Sequence, residues 1–480
     1  MSLFTWQEVD PRPGEAVAPW QRLSWGRTVG LGAQHVVAMF GATFVFPVVM
    51  GLDPNLAIFF SGVCTILFLL MVANRVPSYL GTSASFVASV AAIRAQGGDS
   101  ADVTGSILIA GVVLALVGIV VHFAGSGVIH KVLPPAVTGA VVMLIGFNLA
   151  PVVAGTYWPQ DQWIALITAT FMIGAAVLLP GFWARIAVFL ALIFGYVLSF
   201  LADTLFGKIH SMLPGQNMMM PDLVHGKATM VPCPSSGSTS CVAMPFDHDR
   251  IWAWSGVGKA DWLGFPSGVL HDGVSVVHAP SFSLTFILLV LPGVIALIAE
   301  NTGHVKAVAE MTETHLDPYM GRALSADGVA TAFASAFGGS PTTTYAENIG
   351  VMASTKVYST AAYYVAAVVA ILLGLCPKFG AIVNATPGGV LGGITVVLYG
   401  MIGLVGAKIW VENGINFGNP VNMVGLAGGI IAGIGGVTLK FTDNFSLGGI
   451  ALGTILVIVY FHLVKGKKEE LGATEVTEAL

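Results

Sequence analysis

Glu300 and Glu347 are the residues whose type and surroundings could do chemistry. Each carboxylate stands in a stretch that is otherwise apolar enough for a membrane. An ionisable group at that depth is costly, and it marks a substrate, ion or proton pathway. Glu300 lies in Leu297-Ile-Ala-Glu300-Asn-Thr-Gly-His304, near where this helix is expected to leave the membrane. The spacing of four puts Glu300 and His304 on one helix face. Glu347 lies in Gly338-Gly-Ser-Pro341-Thr-Thr-Thr-Tyr345-Ala-Glu347-Asn-Ile-Gly350. Two glycines and a proline break the run, and three threonines favour extended backbone. The pattern predicts a short extended stretch feeding a half-helix whose first N–H groups are unsatisfied at membrane depth.

The first half of the chain holds a counterpart, Pro77-Ser-Tyr-Leu-Gly81-Thr-Ser-Ala-Ser-Phe86. Interrupted segments at matching positions of two halves point to a transporter's binding site. His35 follows Gln34 in the first apolar run, and the pair gives that helix a polar face. Arg94, His122, Arg185, Asp203 and His462 fall near the ends of apolar runs, within reach of water.

These segments need a membrane to position them. Of the 480 residues, 55% are hydrophobic and 9% charged, with mean hydropathy +0.83. Soluble domains carry roughly 25% charged residues, so a soluble protein is excluded. The net charge of −5 gives no basic field for nucleic acid. Neither HExxH nor GxSxG occurs, and no ligand-type spacing supports a metal or a cofactor, so an enzyme is not expected. Residues 1–28 are polar and lack a signal-peptide core.

A membrane helix takes about 20 apolar residues. Candidate spans fall near 29–51, 54–73, 78–94, 104–124, 134–154, 162–180, 184–204, 281–301, 325–338, 341–355, 358–376, 388–406, 420–437 and 446–464. The expected fold is therefore an all-α polytopic membrane protein of about 14 spans. It reads as two inverted seven-span repeats, discontinuous at spans 3 and 10. Lys and Arg, such as Arg12, Arg22, Arg27, Arg75, Lys465 and Lys467, place both termini in the cytoplasm. The polar tail from Lys465 onward is expected to be disordered. A long loop, 205–280, would then face outside, where a Cys233–Cys241 disulfide is plausible chemistry.

Four stretches, in order, resemble one family. Glu347-Asn-Ile-Gly350-Val-Met-Ala-Ser-Thr355-Lys356 is similar to the signature of nucleobase–ascorbate transporters, and Gln34-His35 resembles their first-span Gln-His pair. Phe40-Gly-Ala42-Thr-Phe-Val-Phe-Pro47 and Ala299-Glu300-Asn-Thr-Gly-His304 resemble bacterial uracil permeases. The resemblance covers about residues 29–465. It implies a core domain (29–131 and 281–376) and a gate domain (132–204 and 377–465) that often dimerises. Segment 1–28, loop 205–280 and tail 466–480 flank these. It implies a multi-pass protein of a bacterial-type inner membrane, surrounded by lipid, importing a nucleobase with a proton as coupling ion and no other cofactor. The positions Glu300, Glu347, Ala84, Ala346, Ala42, His304 and Tyr345 would bind substrate. Glu300, His304, His35, Gln34 and Asn348 would support proton coupling. Two departures stand out: Ala84 replaces an aromatic residue common in uracil permeases, and Ala346 a common glycine.

Uracil heads the expected substrates, because two carboxylates and two helix N-termini match the donors and acceptors of a cyclic imide. Xanthine or uric acid comes next. An anion transporter of the related sulfate-permease fold would share the broken helices, but two glutamates oppose an anion.

Overall fold

The computed structural model describes residues 4–12, 15–213, 218–224, 227–232, 242–252, 254–442 and 445–470. Cys233 and Cys241 lie outside the described residues, as do 471–480.

The apolar runs fold as helices. In chain order they are α1 (Trp25–Met50), α2 (Pro54–Met71), the short α3 (Val87–Ala95), α4 (Ser100–Ala124), α5 (Pro135–Phe147), α6 (Gln162–Leu178) and α7 (Ala187–Phe206). After a long connection come α8 (Leu284–Thr312), α9 (Asp317–Ser335), the short α10 (Ala346–Thr355), α11 (Thr360–Gly374), α12 (Gly388–Glu412), α13 (Pro420–Ile434) and α14 (Gly449–Glu470). Among the described residues, seven helical stretches are long and apolar enough to cross a membrane. Starts follow ordinary capping chemistry. Asp53 accepts from Leu56 N at 2.7 Å ahead of Pro54, and Asp99 and Asp102 form a reciprocal cap on α4.

Four expectations need correction. The fold is mostly helical but not all-α, for several small sheets occur, including a hairpin of Met218–Val224 with Lys227–Pro232. The helix bearing Glu300 does not end there; α8 continues to Thr312, because Glu300, His304 and Lys306 interrupt hydropathy without interrupting the helix. α9 starts at Asp317, before the expected 325, since its first turns are polar and begin on Asp317-Pro318. α14 runs on through Lys465 to Glu470, so the described part of the tail is helical.

Two compact units divide the chain. One comprises Met1–Leu149, Gly264–Cys376 and Tyr399–Leu480; the other comprises Ala150–Leu263 and Pro377–Leu398. In the second unit, Arg250 Nε donates to Asp161 at 2.6 Å and Nη1 to Asp203 at 3.0 Å, so one guanidinium joins the start of α6 to the end of α7.

In the first unit, α4 and α9 touch backbone to backbone. A Cβ on Gly118 would lie 2.7 Å from Gly321 O, and one on Gly111 2.8 Å from Gly328 O. Such small-residue contacts let membrane helices approach closely. The segment before α1 folds back on the stretch after α10. Val17, fully buried, donates its N–H to Lys356 O at 2.9 Å and accepts from Tyr358 N at 2.8 Å. Trp6 Nε1 donates to Thr360 Oγ1 at 2.8 Å.

The two extended stretches are β1 (Leu80–Thr82) and β2 (Thr342–Thr344), which pair antiparallel with Gly81 opposite Thr343. Gly81 is required by space. A Cβ there would lie 2.4 Å from the Tyr345 ring and 2.5 Å from Thr43 Oγ1. Overpacking of this kind costs about 1–3 kcal/mol. Gly81→Ala is therefore expected to lower the melting temperature of the purified protein by several degrees, read by thermal scanning in detergent. An unchanged melting curve would show that the strand pair tolerates the methyl group.

Candidate functional site

The site grows from the strand pair. Beyond the ladder, Ser83 N donates to Pro341 O at 2.9 Å and Tyr345 N to Tyr79 O at 3.0 Å. The backbone polar groups of the two breaks thus satisfy each other where lipid could not. Each strand leads into a short helix. Ser83 caps the turn Ala84–Phe86, accepting from Ser85 N at 3.2 Å, and that turn runs into α3. Tyr345 precedes α10, which opens at Ala346. Because the strands are antiparallel, the two helices leave from opposite ends of the pair, and Glu300 links them, standing beside Ser85 on one side and in the field of Glu347 on the other.

The carboxylates come to this point from different elements. Glu347 occupies the first turn of α10 and Glu300 the middle of α8, both half-buried. The Ser85 and Thr343 hydroxyls stand beside the Glu300 carboxylate, which also feels the charge of Glu347. Ala84 is partly exposed and Ala346 exposed. The structure therefore brings together Glu300, Glu347, Ala84 and Ala346.

His304 belongs to the same locality through a directed chain. Asn301 Nδ2 donates to Asp327 Oδ2. Asn301 Oδ1 accepts from Thr344 Oγ1 at 3.0 Å. The Thr344 hydroxyl has one proton and has given it to Asn301. Its 2.8 Å contact with His304 must therefore be a donation from His304 Nδ1–H. That leaves Nε2 as the basic nitrogen of His304.

The remaining candidates form a second group. His35 is buried, and Asn348 Nδ2 lies 3.2 Å from its Nδ1 and donates to its carbonyl at 2.9 Å. The imidazole packs on Tyr363 with ring centroids 4.4 Å apart. Gln34 is half-buried beside it. The pair thus ties α1 to the residue after Glu347. Ala42 is buried on α1, next to Thr43. Thr43 Oγ1 donates to Tyr345 Oη at 3.2 Å, and Tyr345 Oη donates to Thr82 O at 2.8 Å. The Tyr345 phenol is therefore engaged in holding α1, β1 and β2 together.

Asp327 and Asn301 are the residues that sequence reasoning missed. The signal was available, because Asp327 is an acidic residue inside an expected span and should have met the same test as Glu300. Its Oδ1 has no hydrogen-bond partner among the described residues. No group of three or more His, Cys, Asp or Glu among the described residues could hold a metal.

The Permease family model (Xan_ur_permease) matches residues 26–441. The chain is 38% identical over 467 residues to the "Putative pyrimidine permease RutG" of Escherichia coli (strain K12), covering 96% of this chain and 94% of that one. It is 30% identical over 454 residues to the uracil permease of Bacillus caldolyticus, covering 92% and 93%. Among solved structures it is similar to the transmembrane domain of the cyanobacterial bicarbonate transporter BicA (TM-score 0.53, 12% identity, 91% and 96% covered). It is also similar to the murine anion transporter Slc26a9 (TM-score 0.58, 11% identity, 94% and 70% covered). At such identity these structures share the fold alone.

The chain from His304 to Asp327 predicts a thermodynamic coupling. Removing one partner of a buried hydrogen bond costs about 1–3 kcal/mol. Asp327→Ala and Asn301→Ala should each lower thermal stability and uptake, and the double variant should be little worse than either. Additive losses would show that the two residues act separately.

Proposed function

The chain belongs to the Permease family, and from that premise we propose that it imports a pyrimidine base, uracil first, in symport with protons. The observation that carries this reading is the meeting of two helix N-termini and two carboxylates at one strand pair. Uracil is planar and neutral, with N–H donors beside C=O acceptors. A carboxylate accepts from ring N–H, and the N–H groups at Ala84 and Ala346 donate to ring carbonyls. A base with the wrong edge would leave a buried group unpaired, at about 1–3 kcal/mol, which is roughly fivefold to 150-fold in affinity. The pyrimidine and uracil permeases among the relatives support the same choice.

Glu347, on the first turn of α10, is the substrate anchor. Glu300 is the coupling group: it takes a proton from outside, with His304 one helical turn away to exchange it. Neutralising the site before it crosses lets the membrane potential act on the coupled proton, at about 2.3 kcal/mol per charge per 100 mV. His35, Gln34 and Asn348 support the anchor from α1. Ala42 lines the base, and Tyr345 contributes through the frame its phenol holds. In the full scheme fourteen spans form inverted repeats. A core moves against a gate that dimerises, and both termini lie in the cytoplasm of a bacterial inner membrane.

The fold is shared with anion transporters, but a site built on two carboxylates suits a neutral hydrogen-bonding substrate better than an anion. Uptake of radiolabelled uracil into cells or proteoliposomes tests the reading, with xanthine, thymine, hypoxanthine and sulfate as competitors and a protonophore as the coupling control. Uracil uptake should be competed best by unlabelled uracil and abolished by the protonophore. Competition by sulfate and not by bases would overturn the substrate class. Glu300→Gln should keep uracil binding but lose accumulation driven by the proton gradient; unchanged accumulation would remove Glu300 from the coupling role.

A further inference from the structure

The half-helix α3 is held at its start by β1, and its far end is held by a separate device. Arg94 stands in its last turn. Arg94 Nη1 donates to Asp272 Oδ2 at 2.5 Å, and Nη2 donates to Ser100 Oγ at 2.7 Å and to Met50 O at 3.4 Å. The same Asp272 oxygen accepts from Ser100 N and from Ser100 Oγ, each at 2.6 Å. One carboxylate thus answers the cation at the end of α3 and an orphan N–H at the start of α4. The guanidinium adds the end of α1. The pair is largely shielded, with side chains 26% and 21% exposed. Asp272 is itself fixed, because the segment that carries it is pinned to α4 twice more. His278 Nε2 lies 2.9 Å from Thr104 Oγ1, and Ser281 N donates to Ala101 O at 2.9 Å.

We infer that Arg94 and Asp272 are positioning residues for the substrate: they fix the far end of α3 so that the N–H groups at Ala84 meet the base. α3 is only nine residues long and is seated on its neighbours by Val87, Val90 and Ile93, all buried. Freed at that end, it would shift as a body along these neighbours, and Ala84, in the turn that leads into it, would move with it. A misplacement of about 1 Å can cost a reaction about 100-fold in rate, and a hydrogen bond to the base depends on distance and angle in the same way. The inference rests on the reading above that Ala84 contributes to the site.

The latch holds throughout the range in which transport can be assayed. Burial pushes the Asp272 carboxyl up, but hydrogen bonds from Ser100 and Arg94 outweigh it and set it at about 2. A depressed carboxyl loses its stabilising contribution only as pH falls from its unfolded value towards that figure. The latch therefore does not titrate between pH 5 and 8.

Equilibrium binding to the purified full-length protein, with the base that the wild type binds best, tests the inference. Asp272→Asn keeps an acceptor for Ser100 but loses the ion pair, and Arg94→Gln loses it from the other side. Each should weaken binding by about fivefold or more. Asp272→Glu, which keeps the charge, should stay within about twofold of the wild type. Uptake by all three should follow the wild-type pH profile after scaling, since none handles the proton. Wild-type affinity in both Asp272→Asn and Arg94→Gln, with a lowered melting temperature, would show that the latch serves the fold alone. A wild type that binds no base contradicts the functional reading instead, and removes the latch's role with it.

Discussion

Everything at the site depends on how a broken helix is tolerated at membrane depth. A helix that stops in lipid leaves orphan N–H and C=O groups, each of which costs several kcal/mol without a partner. Two breaks, from opposite halves of the chain, resolve this together. Leu80–Thr82 and Thr342–Thr344 supply each other's hydrogen bonds, and Ser83 and Tyr345 extend the ladder. Side chains complete the groups that face away from the partner strand: Leu80 N donates to Thr65 Oγ1, Thr342 N to Thr331 Oγ1, and Thr82 O accepts from Tyr345 Oη. In the proposed site, the N–H groups at Ala84 and Ala346 are the donors that remain for the base.

The surroundings follow from that constraint. Gly81 is small because the Tyr345 ring lies over it, and the phenol binds Thr43 and Thr82 to hold α1 against the strands. Asn348 on α10 reaches back to His35 on α1. Glu300 and His304 approach from α8, and Asp327 sets the orientation of His304 through Asn301 and Thr344. α9 brings Asp327 close because glycines let it pack on α4 without intervening side chains. The far ends of the half-helices are held as well, α3 by Asp272 and the stretch after α10 by the segment around Val17.

Much of this was legible in the sequence. The breaks at Pro77–Gly81 and Gly338–Pro341 announced themselves through Gly, Pro and Thr, and Glu300 and Glu347 through charge in apolar surroundings. The strand pairing was not legible, since Gly81 and its partner Thr343 are too far apart in the chain to leave a local pattern. The length of α8 was misjudged because hydropathy reports the cost of a side chain in lipid, whereas helix continuity is decided by the backbone. Asp327 escaped notice because its span is short and polar at its start. By sequence alone Arg94 is a charge within reach of water at a span end, and only the fold brings Asp272 to it. The role expected of Tyr345 illustrates a different limit: sequence placed it beside the site, while its hydroxyl direction depends on Thr43, far away in the chain.

The central claim is that the base binds across the two half-helix N-termini, anchored by Glu347. A structure of the protein with uracil, by crystallography or cryo-electron microscopy, tests it most directly. The account predicts planar density between Ala84 and Ala346, with a ring N–H facing the Glu347 carboxylate and Glu300 within hydrogen-bonding distance of the base or of His304. A base bound away from the strand pair, with neither helix N-terminus in contact, would contradict it.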